Sequence, residues 1–139
     1  MIPVNCWNSL QKGEKITLDD RVITSEMVLG KPRKGIKICY CTDSRPSDEL
    51  AEFIKDSDLF ICEGIYGDDN EIGKAEQKKH MVFSEAAKLA KQGNVGELWL
   101  THYSPSLTEP EKYIEAVRTI FANAVEGRDL MAKTIKYKD

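Results

Sequence analysis

From Gly35 onward, short apolar runs alternate with segments whose apolar residues recur at helical spacing. Runs of this length are typical of buried strands, and they fall at Ile36–Cys41, Asp58–Cys62 and Glu97–Leu100. The helical segments are Ser47–Lys55, Val82–Gln92 and a third that begins at Thr108. A last strand is predicted at about Leu130–Lys136. Repeated strands and helices predict an α/β layer in which the loops after the strands carry function.

The third helix and the first 34 residues have patterns of their own. Thr108-Glu109-Pro110-Glu111 predicts a capping box at the start of that helix. The predicted apolar face of the helix is Tyr113, Val117, Ile120, Phe121 and Ala124.

The first 34 residues predict a short helix around Val4–Gln11, a hairpin formed by Lys15–Leu18 and Arg21–Ile23, and one helical turn at Thr24–Gly30. We expect one domain over 1–139, with an irregular segment at 1–34 and a strand and helix core at 35–139.

Composition limits the class of protein. The chain has 139 residues, of which 41% are hydrophobic and 31% charged, as in a soluble globular domain. No apolar stretch approaches the roughly 20 residues that a membrane span needs, so no membrane is implied. The N-terminus, Met1-Ile2-Pro3-Val4-Asn5-Cys6-Trp7, lacks the basic and apolar regions of a secretory signal, and we expect a cytoplasmic protein.

The four cysteines should then be reduced. Cys39 and Cys41 share one strand face, and a thiolate zinc site with Cys6 and Cys62 is conceivable. A Cys-x-Cys pair without a matching second pair fits such a site poorly, and we expect buried, inert thiols.

The net charge of −3 provides no overall attraction to RNA, so any RNA contact must be local. The densest basic stretch is Lys31–Lys37, which is expected to be a solvated loop. Lys78 and Lys79 have the same expectation, although their position beside His80 makes a phosphate contact conceivable.

Three residues occupy positions that often carry chemistry: Asp43 and His102 after predicted strands, and His80 just before a helix. We expect Asp43 and His102 to lie close together at one edge of the sheet, and His80 to be farther off and more mobile. A carboxylate past a strand end can bridge metal ions, and a strand-end imidazole can bind zinc. A histidine is also the side chain best suited to donate a proton at neutral pH. Structural alternatives exist for each: Asp43 as the cap of the helix after Pro46, His102 bonded to backbone, and His80 exposed in a loop.

The order and spacing of these residues resemble the C-terminal half of ribonuclease Z, the metallo-β-lactamase-fold endonuclease that trims the 3′ end of precursor tRNA. The segments that carry the resemblance are Thr42-Asp43-Ser44-Arg45-Pro46, Glu63-Gly64-Ile65-Tyr66, His80-Met81-Val82 and Leu100-Thr101-His102-Tyr103-Ser104-Pro105-Ser106. Two upstream segments are also similar, namely Trp7-Asn8-Ser9-Leu10-Gln11-Lys12-Gly13 and Val28-Leu29-Gly30-Lys31-Pro32. The resemblance implies one half of the αββα sandwich, with one mixed sheet covered by helices.

The resemblance also implies roles for four residues. Asp43 would be a bridging ligand of two zinc ions and His102 a terminal ligand. His80 would be the general acid, and Glu63 an acidic neighbour that holds its tautomer. The implied reaction is zinc-dependent hydrolysis of a phosphodiester bond in a tRNA precursor.

Two departures from the family pattern change this picture. Ser106 stands where the family usually has an arginine that would hold the phosphate. The family's His-x-His-x-Asp-His motif is absent, because His80 and His102 are the only histidines. Asp43 and His102 provide two ligands where zinc needs at least three from protein, and a homodimer would still lack that motif. We therefore expect weak zinc binding and no activity from the chain alone.

Three hypotheses remain open at this point. The chain forms an active enzyme with an N-terminal half, or it is a non-catalytic remnant that serves for association, or it is a simple α/β binding module in which the motifs are coincidental. Because the αββα fold packs two sheets face to face, a single half should expose an apolar surface and self-associate.

Overall fold

The computed structural model describes residues 1–137, which form two compact units, 1–34 and 35–137. In the first unit, a 3₁₀ turn at Val4–Cys6 leads into helix α1, Trp7–Gln11. Strands β1, Ile16–Leu18, and β2, Arg21–Ile23, then pair antiparallel, and helix α2 covers Ser25–Val28. The predicted short helix and hairpin are thus present. No helix within residues 1–137 has the length and apolar composition needed to cross a membrane.

The second unit is built on one four-stranded sheet. Its strands, in sheet order, are β3, Ile38–Cys41; β4, Leu59–Glu63; β5, Leu98–Thr101; and β6, Ala124–Glu126. All three pairings are parallel, because each strand is followed by a helical crossover that returns the chain to the same end of the sheet. The α/β fold class is confirmed, but the sheet that was predicted as mixed is parallel throughout the described residues.

The crossovers contain helix α3, Asp48–Ile54; a 3₁₀ turn at Asp69–Glu71 with helix α4, Ile72–Gln77; helix α5, Phe83–Gln92; and helix α6, Glu111–Ile120. The core lies between the sheet and helices α3, α5 and α6. Its fully buried sheet residues include Phe60, Cys62, Leu98 and Leu100, which point to the helices because alternate residues of a strand share a face. Helix α5 contributes Phe83, Ala86, Ala87 and Ala90, whose small side chains let it approach the sheet closely.

Three expectations for the C-terminal region are wrong. The last described strand is Ala124–Glu126 and not Leu130–Lys136, because the backbone becomes extended at Phe121 and Ala124 enters the core directly. The side chain of Leu130 is fully exposed. Helix α6 begins after Pro110, whose helical φ of −60° starts the first turn, so the capping box predicted from Thr108 does not form. The helix ends before Phe121 and Ala124, which were assigned to its apolar face.

The sheet face opposite the helices is left partly exposed. Ile38 and Tyr40, which alternate with the helix-facing residues of β3, have exposed fractions of 56% and 65%. Ile61, Trp99 and Val125 lie on the same face of the neighbouring strands and are partly exposed. The first core strand is therefore not buried as predicted, because it is an edge strand with one uncovered face.

Replacement of a sheet core residue should cost much more stability than the same replacement in the C-terminal segment. Leu98→Ala removes a fully buried side chain and should lower the free energy of unfolding by about 2–5 kcal/mol. Leu130→Ala is the matched control, and it should change the free energy by less than about 0.5 kcal/mol. Urea unfolding of both variants measures the difference. Equal losses would contradict the assignment of the last strand to Ala124–Glu126.

Candidate functional site

Three acidic or imidazole side chains lie at the carboxyl ends of neighbouring strands. Asp43 follows β3, Glu63 ends β4, and His102 follows β5. Parallel pairing in register brings these ends to one edge of the sheet. His80 reaches the same edge from the segment between α4 and α5, where a parallel bridge joins Tyr66 to Val82.

Asp43 lies in a tight turn stabilised by its neighbours. Its φ of 52° is in the left-handed region, which aspartate tolerates better than most residues. The Thr42 hydroxyl donates to Asp43 Oδ2 at 3.1 Å, and the Ser44 hydroxyl donates to the Thr42 carbonyl at 3.0 Å. Asp43 does not cap the next helix, because the side chain of Ser47 occupies that position and accepts from Leu50 N. This result removes the capping alternative.

Glu63 is a fully buried carboxylate with several donors around it. His80 Nδ1 lies 2.8 Å from its Oε2, the amide of Met81 donates to the same oxygen at 3.4 Å, and the amide of Ser44 donates to Oε1. A buried carboxylate is destabilising unless such donors surround it. Because a carboxylate only accepts hydrogen bonds, Nδ1 of His80 carries a proton and Nε2 remains available.

The side chains of Asp43, His80 and His102 come together above this edge. Asp43 Oδ1 lies 4.0 Å from His102 Nε2 and 3.9 Å from His80 Nδ1, and the two imidazole rings are 5.6 Å apart at their centroids. His102 has a left-handed φ of 58°, and its side chain is 43% exposed. Asp43 and His102 were expected to be neighbours, and they are. His80 was expected to lie farther off, which is wrong, because Glu63 holds its ring near Asp43.

The donor set fits a metal ion. One ligand-type atom from each of Asp43, His80 and His102 lies within 4.8 Å of the others. Ligand atoms on one tetrahedral zinc are about 3.3 Å apart for bonds of 2.0–2.1 Å, so these three atoms would have to move closer together to share one ion. Two imidazoles and a carboxylate are ligands that zinc accepts. Sequence reasoning counted only Asp43 and His102 here, because it did not predict how close His80 lies.

Sequence reasoning also missed Arg45 and Glu85. The Arg45 guanidinium makes two hydrogen bonds to the Glu85 carboxylate and one to the main-chain carbonyl of His80. Glu85 is the third residue of α5 and accepts from the amide of Val82, which a glutamate at this position commonly does. That spacing was the one signal in the sequence for Glu85.

The cysteines conform only in part to the expectation of buried, inert thiols. Cys39 and Cys62 are buried, whereas Cys6 and Cys41 are partly exposed. A hydrogen bond from Cys62 lowers the pKa of the Cys41 thiol to about 6. The same bond, together with burial, raises the pKa of Cys62 well above its usual range. A lowered pKa favours the thiolate form, so Cys41 departs from the buried, inert thiol that was expected.

Hydrogen bonds from the Tyr103 side chain stabilise the end of β5 and the loop around His102. The Tyr103 hydroxyl donates to the main-chain carbonyls of Leu100 and Gly127, at 2.6 and 3.1 Å. Burial raises the pKa of this phenol, which therefore stays a donor. Farther along, Ser106 Oγ lies 2.8 Å from Ser104 Oγ, so Ser106 forms a local hydroxyl pair where the family pattern has a cation.

Two solved structures have a similar fold. The metallo-β-lactamase fold protein YhfI from Bacillus subtilis has a TM-score of 0.56 and 29% sequence identity, covering 64% of this chain and 35% of that one. The short form of human tRNase Z has a TM-score of 0.58 and 24% identity, covering 83% and 37% of the two chains. No protein-family model matches the chain. The fold is thus that of one part of a metallo-β-lactamase-fold protein.

Sequence comparison identifies the family to which the chain is similar. Ribonuclease Z of Clostridium kluyveri is 56% identical over 138 residues, which are 99% of this chain and 46% of that protein. The predicted resemblance to the C-terminal half of ribonuclease Z is thereby confirmed. The chain spans about half the length of the curated relatives it matches.

The tautomer of His80 is a direct test of the Glu63 contact. Imidazole ¹⁵N shifts of the neutral ring should show a protonated Nδ1 and an unprotonated Nε2. Glu63→Gln should abolish this preference and destabilise the fold by about 1–3 kcal/mol, because one amide group cannot accept from both Ser44 and His80. Glu97→Gln, at the opposite end of β5, should leave the His80 shifts unchanged. An Nε2-protonated ring in the unaltered chain would contradict the contact.

Proposed function

We propose that this chain supplies the C-terminal part of a zinc-dependent ribonuclease Z that trims the 3′ ends of precursor tRNA. The observation that supports the proposal best is the meeting of Asp43, His102 and the Glu63-bonded His80 at one sheet edge. Similarity to ribonuclease Z over nearly the whole chain supports the substrate class. The net charge of −3 leaves the main RNA contacts to local basic residues or to other parts of the enzyme.

In the proposed reaction, His80 donates a proton to the departing ribose oxygen. The hydrogen bond from Nδ1 to Glu63 orients the ring and leaves Nε2 as the atom that would deliver the proton to the substrate. Asp43 and His102 would hold the zinc, which when bound would activate water and stabilise charge on the phosphate. His80 is close enough to the other two to be a ligand itself, so its role as proton donor requires its own test.

The proposed activity needs more ligands than the chain offers. Two zinc ions of four ligands each require more protein groups than Asp43, His102 and the neighbouring His80 provide. The resemblance assigns the others to a His-x-His-x-Asp-His segment. We propose that an N-terminal half carrying this motif completes the site, and that its sheet packs against the exposed face around Ile38 and Tyr40.

Addition of the N-terminal half of the Clostridium kluyveri ribonuclease Z should restore function. The chain alone should bind zinc weakly and cleave precursor tRNA negligibly, because its ligand set is incomplete. The mixture should bind zinc tightly and cleave at the 3′ end, as measured by zinc titration and gel-resolved cleavage. His102→Ala and Asp43→Ala should abolish the gain, whereas Asp69→Ala, at an exposed position on the 3₁₀ turn, should preserve it.

His80→Ala separates the two possible roles of that residue. Loss of cleavage with zinc affinity retained would support proton donation. Loss of both would identify His80 as a ligand and overturn its role as general acid. Tight zinc binding and robust cleavage by the chain alone would overturn the incomplete-site proposal.

A second candidate function is association without catalysis. The specific observation in its favour is the exposed sheet face, where Ile38 and Tyr40 are more than half exposed and three further apolar side chains are partly so. Apolar surface of this kind marks sites of protein contact. The incomplete ligand set is compatible with such a role.

Sedimentation across a dilution series tests the exposed face. The unaltered chain should self-associate, and Tyr40→Glu should shift it toward monomer by placing a charge in the apolar contact. Tyr137→Glu is the matched control, because Tyr137 is exposed to a similar extent. A chain that is monomeric at every concentration would contradict association through this face.

A further inference from the structure

Arg45 lies two residues after Asp43 and reaches the segment that carries His80. Its Nη1 donates to the His80 carbonyl at 2.7 Å and to Glu85 Oε2 at 2.8 Å, and its Nη2 donates to Glu85 Oε1 at 2.6 Å. Glu85 Oε2 also accepts from the amide of Val82 at 3.0 Å. One arginine therefore links the turn of Asp43 to the start of α5.

This contact differs from an ordinary surface ion pair. The side chains of Arg45 and Glu85 are 28% and 14% exposed, and their two parallel hydrogen bonds fix both distance and orientation. An exposed pair such as Lys55 and Glu52 joins neighbouring positions within one turn of chain. Arg45 and Glu85 are 40 residues apart in sequence, so their contact restrains one loop relative to another.

His80 is thus held at three points, one of them local, because its amide donates to the Ala75 carbonyl at 2.8 Å. Glu63 holds the imidazole from the end of β4, and Arg45 holds the main chain from the turn of Asp43. The residue before it, Lys79, has a left-handed φ of 62° just past the end of α4, a conformation that commonly terminates a helix. The hydrogen bond from Arg45 adds a restraint from a distant loop to the local one from Ala75.

We propose that Arg45 is a positioning residue that sets the separation between Asp43 and the imidazole of His80. The inference rests on the proposed function in one respect, namely that Asp43 and His80 act in the same reaction. The restraint itself requires neither metal nor RNA. Without Arg45, the largely buried carboxylate of Glu85 loses two hydrogen bonds, and the His80 carbonyl loses its donor. The His80 segment should therefore open more often.

Hydrogen exchange of the His80 Nδ1 proton in the full chain, followed by ¹H–¹⁵N NMR, measures this opening. Arg45→Met keeps the length of the side chain and removes its donors, and it should speed exchange by roughly tenfold or more. Arg45→Lys keeps the charge without the two-pronged geometry and should fall between Arg45→Met and the unaltered chain. Arg118→Met is the matched control, because Arg118 also donates to a carbonyl, that of Ala124, and pairs with a glutamate, away from the site.

Arg118→Met should leave His80 exchange within about twofold of the unaltered chain. Equal acceleration by Arg45→Met and Arg118→Met would reveal general loosening and overturn the proposal. Unchanged exchange in Arg45→Met would also overturn it. If Arg45→Met fails to fold, as judged by circular dichroism, unchanged exchange in Arg45→Lys decides against the proposal. The two proposals can fail separately. If Arg45→Met speeds His80 exchange and Arg118→Met does not, but the chain with an N-terminal half never cleaves precursor tRNA, the proposed function is rejected and the role of Arg45 stands.

Discussion

The candidate site depends on the buried carboxylate of Glu63. Removal of a carboxylate from water is costly, and the cost is offset here by donors from Ser44, His80 and Met81. Those donors belong to two loops that are distant in sequence, and Glu63 itself ends a central strand. The same bonds that satisfy a buried charge therefore assemble the site, so stability and geometry are coupled at this residue. The ion pair between Arg45 and Glu85 forms a second link between the same two loops, farther from the buried carboxylate.

Parallel strand pairing supplies the frame on which these bonds form. Because β3, β4 and β5 run in one direction and in register, the residues after them meet at one edge without long loops. The helices that make the parallel connections all pack on one face, which leaves Ile38 and Tyr40 on the other face exposed. The edge that carries the candidate site and the uncovered apolar face thus have the same origin. Both agree with a chain that matches about half the length of its curated relatives.

The hydrophobic pattern of the sequence predicted a strand or helix correctly wherever residues within that element decided its structure. The core strands and helices were placed within a few residues, and the neighbouring positions of Asp43 and His102 followed from strands that end at the same edge. It failed where a distant contact decided the outcome. His80 lies beside Asp43 because Glu63 and Arg45 hold it there. The family resemblance implied the contact with Glu63, whereas no pattern near His80 indicates Arg45. The alternating segment after Leu130 resembles a strand, yet the sheet position next to β5 was already taken by Ala124–Glu126.

The sequence by itself determined the α/β class, the order of the elements and the residue types available for chemistry, because these depend on periodicity and on side chains that any reader can count. The tertiary structure alone decided that the sheet is parallel, that the first core strand is an exposed edge, and that Asp43, His80 and His102 share one space. It also decided that Cys41 lies opposite Cys62 on the neighbouring strand. These features depend on contacts between residues far apart along the chain, and local preferences carry no information about such contacts.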